Sequence, residues 1–315
     1  MRPEARAAVA EGMAGLEQML GREGRQAASP GEGVARARAA MQPLYITVPE
    51  GEDREIAGVR CRVFRSEAPA RAVYLHFHGG GMITGQPEMG DIPNLSLSRE
   101  HQVAVVSVDY RLAPEHPYPA GPDDGMAVAA WLIERSEQEF GTSRLLTGGE
   151  SAGAYMAAIT LLRVRDELDA VDRFDGANLV FGVYDWGRSP SQRGIRPHDG
   201  PDVLDPEGIR FFTECYLPDR SDDERRDPAV SPAFADLRGM PPAMMTVGTT
   251  DHLLDDTLML AGRWAVAGNE VELFVAPDMP HGFLYFQCGI TTRWFERTTA
   301  WFGEILERPA RGREA

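Results

Sequence analysis

Leu145-Leu146-Thr147-Gly148-Gly149-Glu150-Ser151-Ala152-Gly153 is the stretch on which the reading of this chain turns. Its apolar start reads as a short buried strand. The small residues that follow, from residue 152 to about 162, read as a helix that begins at once. A serine with glycine two positions to either side then occupies the junction, where the chain must turn sharply. Such a turn projects the serine oxygen above the sheet and beside the helix N-terminus, where the Ala152 amide faces any developing negative charge. A Gly-x-Ser-x-Gly string arises by chance roughly 0.13 times in a chain of this composition, so its position between strand and helix adds to its weight. A tight turn with a bystander serine is the competing reading of these residues taken alone.

The flanking sequence supplies the rest of a sheet. Continuous apolar runs at 73–77, 103–108, 179–183, 243–247 and 271–275 read as strands, and 126–133, 254–267 and 292–306 as helices. Residues 59–65 alternate apolar and charged side chains, which suits an antiparallel strand with one face in water. Strands and helices at short spacing predict an α/β fold, a mostly parallel sheet with helices on both faces. Met13, Leu16, Met19 and Leu20 fall on one face of a predicted N-terminal helix. Residues 185–235 interrupt the rhythm with seven prolines and an aromatic island of Phe211, Phe212 and Tyr216. They read as an insertion between core strands.

A serine nucleophile needs a base, and the base an orienting carboxylate. Of the histidines, His281 is favoured because Pro280-His281-Gly282-Phe283 follows the 271–275 strand and can reach the sheet's C-terminal edge. Asp251 ends the turn after the 243–247 strand. Asp255 and Asp256 are alternatives, placed by their position on the following helix. The order Ser, Asp, His is that of α/β-hydrolases. His78-Gly79-Gly80-Gly81 follows the 73–77 strand and has a chance expectation of only about 0.01. Three glycines leave backbone amides free to meet an oxyanion. A phosphate-binding turn is disfavoured, since no lysine and no Gly-x-Gly-x-x-Gly helix start accompanies it.

Together with Asp109-Tyr110-Arg111-Leu112-Ala113-Pro114-Glu115, these pieces resemble the bacterial hormone-sensitive-lipase family of esterases, over residues 78 to 283. The resemblance implies an α/β-hydrolase fold with a catalytic triad of Ser151, Asp251 and His281. It implies an oxyanion hole from the amides of Gly79, Gly80 and Ala152. It also implies a helical cap formed by residues 1–45 and 185–235, set on a core of 46–184 and 236–315. Two positions depart from the pattern. Glu150 precedes the nucleophile where Asp or Thr is more usual, as in a smaller subgroup, and His252 stands where Pro is usual. Asp109, Arg111 and Glu115 read as an ion-paired loop bracing the oxyanion turn. Met82, Tyr184, Trp186, Phe211, Phe212 and Phe283 are candidates for the substrate pocket, each with core packing as the alternative.

The expected function is a serine carboxylesterase acting on short- to medium-chain acyl esters, with a small-molecule ester as its partner and neither metal nor organic cofactor. An amide, lactone or carbamate hydrolase would use the same triad. A non-catalytic ligand receptor on this fold would lack a triad member, and His281 is present. Composition agrees. The 315 residues carry 48 acidic and 32 basic side chains, a net charge of −16, and every basic residue is an arginine. The absence of lysine excludes Schiff-base and phosphate-loop lysine chemistry. The acidity argues against nucleic acid as a partner. Genome composition accounts for the missing lysine more simply than salt adaptation. Three cysteines at 61, 215 and 288 fit neither a metal site nor a disulfide set. No signal peptide or membrane span is apparent, so a cytoplasmic location is expected. The family's pairing along an edge strand makes a homodimer at 271–275 the assembly to test.

Overall fold

The computed structural model describes residues 30–42, 45–66, 68–194 and 204–312. Met13, Leu16, Met19 and Leu20 lie outside the described residues, as do residues 195–203 of the 185–235 insertion. Eight strands form one sheet: β1 (Glu52–Ile56), β2 (Val59–Phe64), β3 (Ala72–Phe77), β4 (Val103–Val108), β5 (Leu145–Glu150), β6 (Phe174–Val180), β7 (Ala243–Gly248) and β8 (Val271–Ala276). Their order across the sheet is β1-β2-β4-β3-β5-β6-β7-β8. β1, β2 and β4 pair antiparallel, and every other pairing is parallel. The serine-bearing strand β5 therefore sits in the middle, buried between β3 and β6. This explains why its neighbours read as unbroken apolar runs rather than alternations.

Eight α-helices accompany the sheet among the described residues: α1 (Pro30–Met41), α2 (Asp91–His101), α3 (Ala120–Phe140), α4 (Ala152–Leu168), α5 (Pro206–Tyr216), α6 (Asp222–Arg225), α7 (Leu254–Val266) and α8 (Gly289–Glu307). α3, α4 and Trp264 of α7 pack one face of the sheet in a large apolar cluster. Trp294, Trp301, Phe302 and Ile305 of α8 pack the other face, with Leu95 and Leu97 of α2 at its margin. α3 ends on Gly141 in the left-handed conformation, whose N–H donates to Glu137 O. α5 begins on Asp205, whose carboxylate caps the Gly208 amide at 2.7 Å, with Pro206 next to it.

Two expectations shift. The strand expected at 179–183 is β6, which starts five residues earlier and ends three residues earlier, where Phe181 turns to φ 37°. Strand β2 is buried on both faces rather than open on one. Arg62 points inward there because Asp91 of α2 receives its guanidinium in two 2.6 Å hydrogen bonds. Asp109, Arg111 and Glu115 are each ion-paired, with partners outside the loop rather than with one another. They pair with Arg60, Asp124 and Arg38, respectively.

Candidate active site

Ser151 sits at the end of β5 with φ 57° and ψ −120°, immediately before α4. A non-glycine residue held there stores of order 1–3 kcal/mol of strain, which the surrounding packing must offset. The flanking glycines show what imposes the turn. A Cβ on Gly153 would lie 1.9 Å from the carbonyl oxygen of Phe77, and one on Gly149 would lie 2.1 Å from the same atom. Strand β3 thus runs directly against the turn, and only glycine fits on either side of the serine. The serine amide donates to Val180 O at 2.9 Å, which ties the turn to β6 as well.

The loops after β7 and β8 are laced together. Thr249 N donates to Ala276 O at 2.9 Å and Thr250 N to Met279 O at 3.1 Å. Gly248 permits this approach, since a Cβ there would lie 2.0 Å from Met279 O. The lacing brings Asp251 and His281 to one place. Nδ1 of His281 lies 2.9 Å from Oδ2 of Asp251, and Nε2 lies 3.0 Å from Oγ of Ser151. An ionised carboxylate only accepts, so the Nδ1 proton donates to Asp251 and Nε2 presents its lone pair to the serine hydroxyl. The other oxygen of Asp251 accepts the Leu253 amide at 2.8 Å. Phe181 backs the imidazole edge-on, with ring centroids 4.7 Å apart. Asp255 and Asp256 do not join this chain. Asp255 accepts the Ser191 amide, and Asp256 is buried among donors from residues 184–192. His252 directs Nδ1 at Ser191 O, 2.9 Å away.

The glycine turn approaches the serine from β3. A Cβ on Gly79 would lie 3.6 Å from Cβ of Ser151, so this turn and the nucleophile are neighbours. Gly80 has φ 119°, and its carbonyl accepts from Thr84 N at 2.9 Å and Thr84 Oγ1 at 3.0 Å. His78 is fully enclosed. Its Nδ1 faces Gly79 O at 2.7 Å and its ring stacks on Tyr110 with centroids 4.2 Å apart. Burial pushes its pKa down to about 3, so it remains a neutral structural donor. Tyr110 donates to His78 O at 2.7 Å, and Arg38 of α1 donates to Ile83 O and Ala113 O at 2.8 and 3.0 Å. These two side chains, which the sequence did not single out, brace the turn. Arg38 carries no motif. Tyr110 lies within the quoted Asp109–Glu115 run, where its charged neighbours drew attention instead.

The pocket candidates separate into two groups. Met82, Tyr184, Trp186 and Phe283 are buried among the core residues. Trp186 packs against Tyr155 and Tyr216, and Phe283 packs against Phe181 and Trp294. Phe211 and Phe212 of α5 stay half-buried. Phe212 reaches the glycine turn, where a Cβ on Gly81 would lie 2.7 Å from its ring. Among the described residues, no group of His, Cys, Asp and Glu is arranged to hold a metal ion. No helix among them is long and apolar enough to cross a membrane.

The chain is similar to known proteins in sequence and fold. A family profile for the alpha/beta hydrolase fold matches residues 74–285. Carboxylesterase NlhH of Mycobacterium tuberculosis is 36% identical over 225 residues, 68% of this chain and 67% of that protein. An esterase of Pyrobaculum calidifontis superposes with a TM-score of 0.79 at 26% identity, covering 88% of this chain and 94% of that one. A hormone-sensitive lipase from a metagenome library superposes with a TM-score of 0.77 at 27% identity, covering 93% and 98%. With the profile spanning most of the sheet, this chain belongs to the α/β-hydrolase fold family, in its hormone-sensitive-lipase branch of carboxylic ester hydrolases.

Proposed function

We propose that the chain is a serine carboxylesterase for short- to medium-chain acyl esters, working through Ser151, His281 and Asp251. The observation that carries this reading is the hydrogen-bonded chain from Asp251 through His281 to Ser151, at 2.9 and 3.0 Å. His281 takes the serine proton as Oγ attacks the ester carbonyl, and Asp251 stabilises the imidazolium. The amides of Gly79, Gly80 and Ala152 receive the oxyanion; each such donor contributes about 3 kcal/mol to the transition state. Ala152 supplies the first amide of α4, which has no partner within the helix. His281 then protonates the departing alcohol, and water hydrolyses the acyl-enzyme by the same steps in reverse roles. A cap over this site is assigned to residues 1–45 and 185–235, of which 1–29, 43–44 and 195–203 lie outside the described residues. The Phe212 ring lies against Gly81 of the glycine turn, which supports shorter acyl chains. A homodimer along β8 is part of this reading, since β8 is the sheet edge and exposes Leu273 and Val275.

The test is Ser151→Ala with folding checked by thermal melting. Turnover of p-nitrophenyl esters should fall by roughly 10⁴-fold or more. Activity retained within about tenfold would refute the nucleophile. The same assay on p-nitrophenyl anilides should show little turnover, and faster anilide cleavage would replace the ester with an amide. An acyl series from acetyl to dodecanoyl should peak at the short end.

A further inference from the structure

The turn that holds Asp251 is fastened to the base of the 185–235 insertion through Ser191. Ser191 makes four hydrogen bonds to it. Its hydroxyl donates to His252 O at 2.9 Å and accepts from the Asp255 amide at 3.1 Å. Its amide donates to Asp255 Oδ2 at 2.9 Å. Its carbonyl lies 2.9 Å from Nδ1 of His252, and a carbonyl only accepts, so that nitrogen carries the proton and donates. Ser191 and His252 are both buried. Asp256 adds a second seam by accepting from the amides of Tyr184 and Asp185, the Ser189 hydroxyl and the Gln192 side chain, at 2.6–2.9 Å.

The seam bears on the reacting groups through one peptide. Oδ1 of Asp251 accepts the Leu253 amide at 2.8 Å, while Oδ2 faces His281. The peptide that joins His252 to Leu253 therefore sets where the carboxylate points. Ser191 grips that peptide's carbonyl side through His252 O, and grips the same residue again through its ring. We propose that Ser191 and His252 form a latch between the insertion and the Asp251 turn, and that His252 is a positioning residue for the Asp251–His281 pair. The latch rests on the triad reading above. It makes the placement of Asp251 depend on the seating of the insertion, and it gives a use to a histidine that stands beside the acid without touching the serine. Alanine has no arm to reach Ser191 O. Asparagine carries an N–H2 at nearly the position of Nδ1.

The experiment compares the full-length wild type with His252→Ala, His252→Asn, Ser191→Ala, the His252→Ala/Ser191→Ala double variant, and Asp251→Asn. Steady-state kinetics on p-nitrophenyl acetate are read beside the low-field proton resonance of the His281–Asp251 hydrogen bond and thermal melts. His252→Ala should lower kcat roughly 10- to 100-fold with KM nearly unchanged, the effect of a small misplacement of a reacting group. The resonance should shift or broaden, and His252→Asn should restore both. Ser191→Ala should give the same kcat defect, and the double variant should be no worse than the worse single, since both act on one latch. Wild-type kcat and resonance in His252→Ala would overturn the latch. So would a defect that asparagine does not restore, or one that adds in full to that of Ser191→Ala. If His252→Ala does not fold, Ser191→Ala, which removes one hydroxyl, decides by the same readouts. Activity surviving in Asp251→Asn would instead overturn the triad; activity lost there with His252→Ala silent would overturn the latch alone.

Discussion

At the residue scale, single atoms decide what the site tolerates. Gly153 and Gly149 face the same carbonyl of Phe77. Gly153→Ala would force backbone against backbone, with no flexible side chain to yield. It should destabilise the protein by about 3 kcal/mol or more, or leave it insoluble, as read by thermal melting and soluble yield. The two histidines beside the acid should differ sharply. His281→Ala should cost roughly 10⁴-fold or more in kcat, like loss of the serine, and His252→Ala at least tenfold less than that. The opposite ranking would mean that the base is His252. Sequence order pointed to Ser151, Asp251 and His281 as candidates because strand ends and turns are readable locally. The burial of Met82, Tyr184, Trp186 and Phe283 was not readable. An aromatic side chain at a strand end looks the same whether it faces a cleft or a helix.

At the scale of elements, α2 escaped the sequence because its inner face is polar. α2 buries Asp91, Asn94, Ser98 and His101, so no apolar stripe marks it. Asp91 is there for Arg62, and Asn94 for His76. β6 was misplaced for a related reason. Its polar start is buried because Asp175 receives Arg144 at 2.6 Å. The seam at the start of α7 has a pH consequence. Burial raises the Asp256 pKa from its ordinary value to about 7, against the hydrogen bonds that favour its charge. The native state then holds a proton that the unfolded chain has released, so between pH 4 and 7 this group's stabilising contribution falls as pH rises, by at most about 1.4 kcal/mol per unit. His78, with its pKa lowered, works in the opposite sense between about pH 3 and 6.5, its contribution growing as pH rises. The Asp256 slope is therefore read as a difference between proteins. The stability of wild type relative to Asp256→Asn should decline from pH 4 to 7 in thermal or urea melts. A constant difference would show that Asp256 is ionised throughout.

At the scale of the whole molecule, the net charge of −16 surrounds a site with no lysine anywhere in the chain. Such a field repels anionic substrates over a Debye length of about 10 Å at 0.1 M salt. kcat/KM for an ester with a carboxylate in its alcohol should rise with added salt, while that for a neutral analogue stays nearly constant. Equal salt response of the two would show that bulk charge plays no part in selection. The edge strand offers a second test. β8 exposes Leu273 and Val275, at 39 and 38% of full exposure. Leu273→Arg should reduce the mass by light scattering from a dimer to a monomer, with the fold intact; a monomeric wild type would remove the interface.

Local signals in the chain determine a strand-turn-helix with a serine at its tip, a glycine turn one strand away, and a regular alternation of strands and helices. These rest on short-range sterics and on periodicity, which neighbouring residues carry by themselves. The tertiary structure alone decides which carboxylate meets which imidazole, because the loops after β7 and β8 are joined by hydrogen bonds between residues far apart in sequence. It also decides that Arg62, Asp91 and Asp256 are interior residues. Burying a charge is tolerable only where partners from distant segments converge on it, and no stretch of sequence contains its own distant partners.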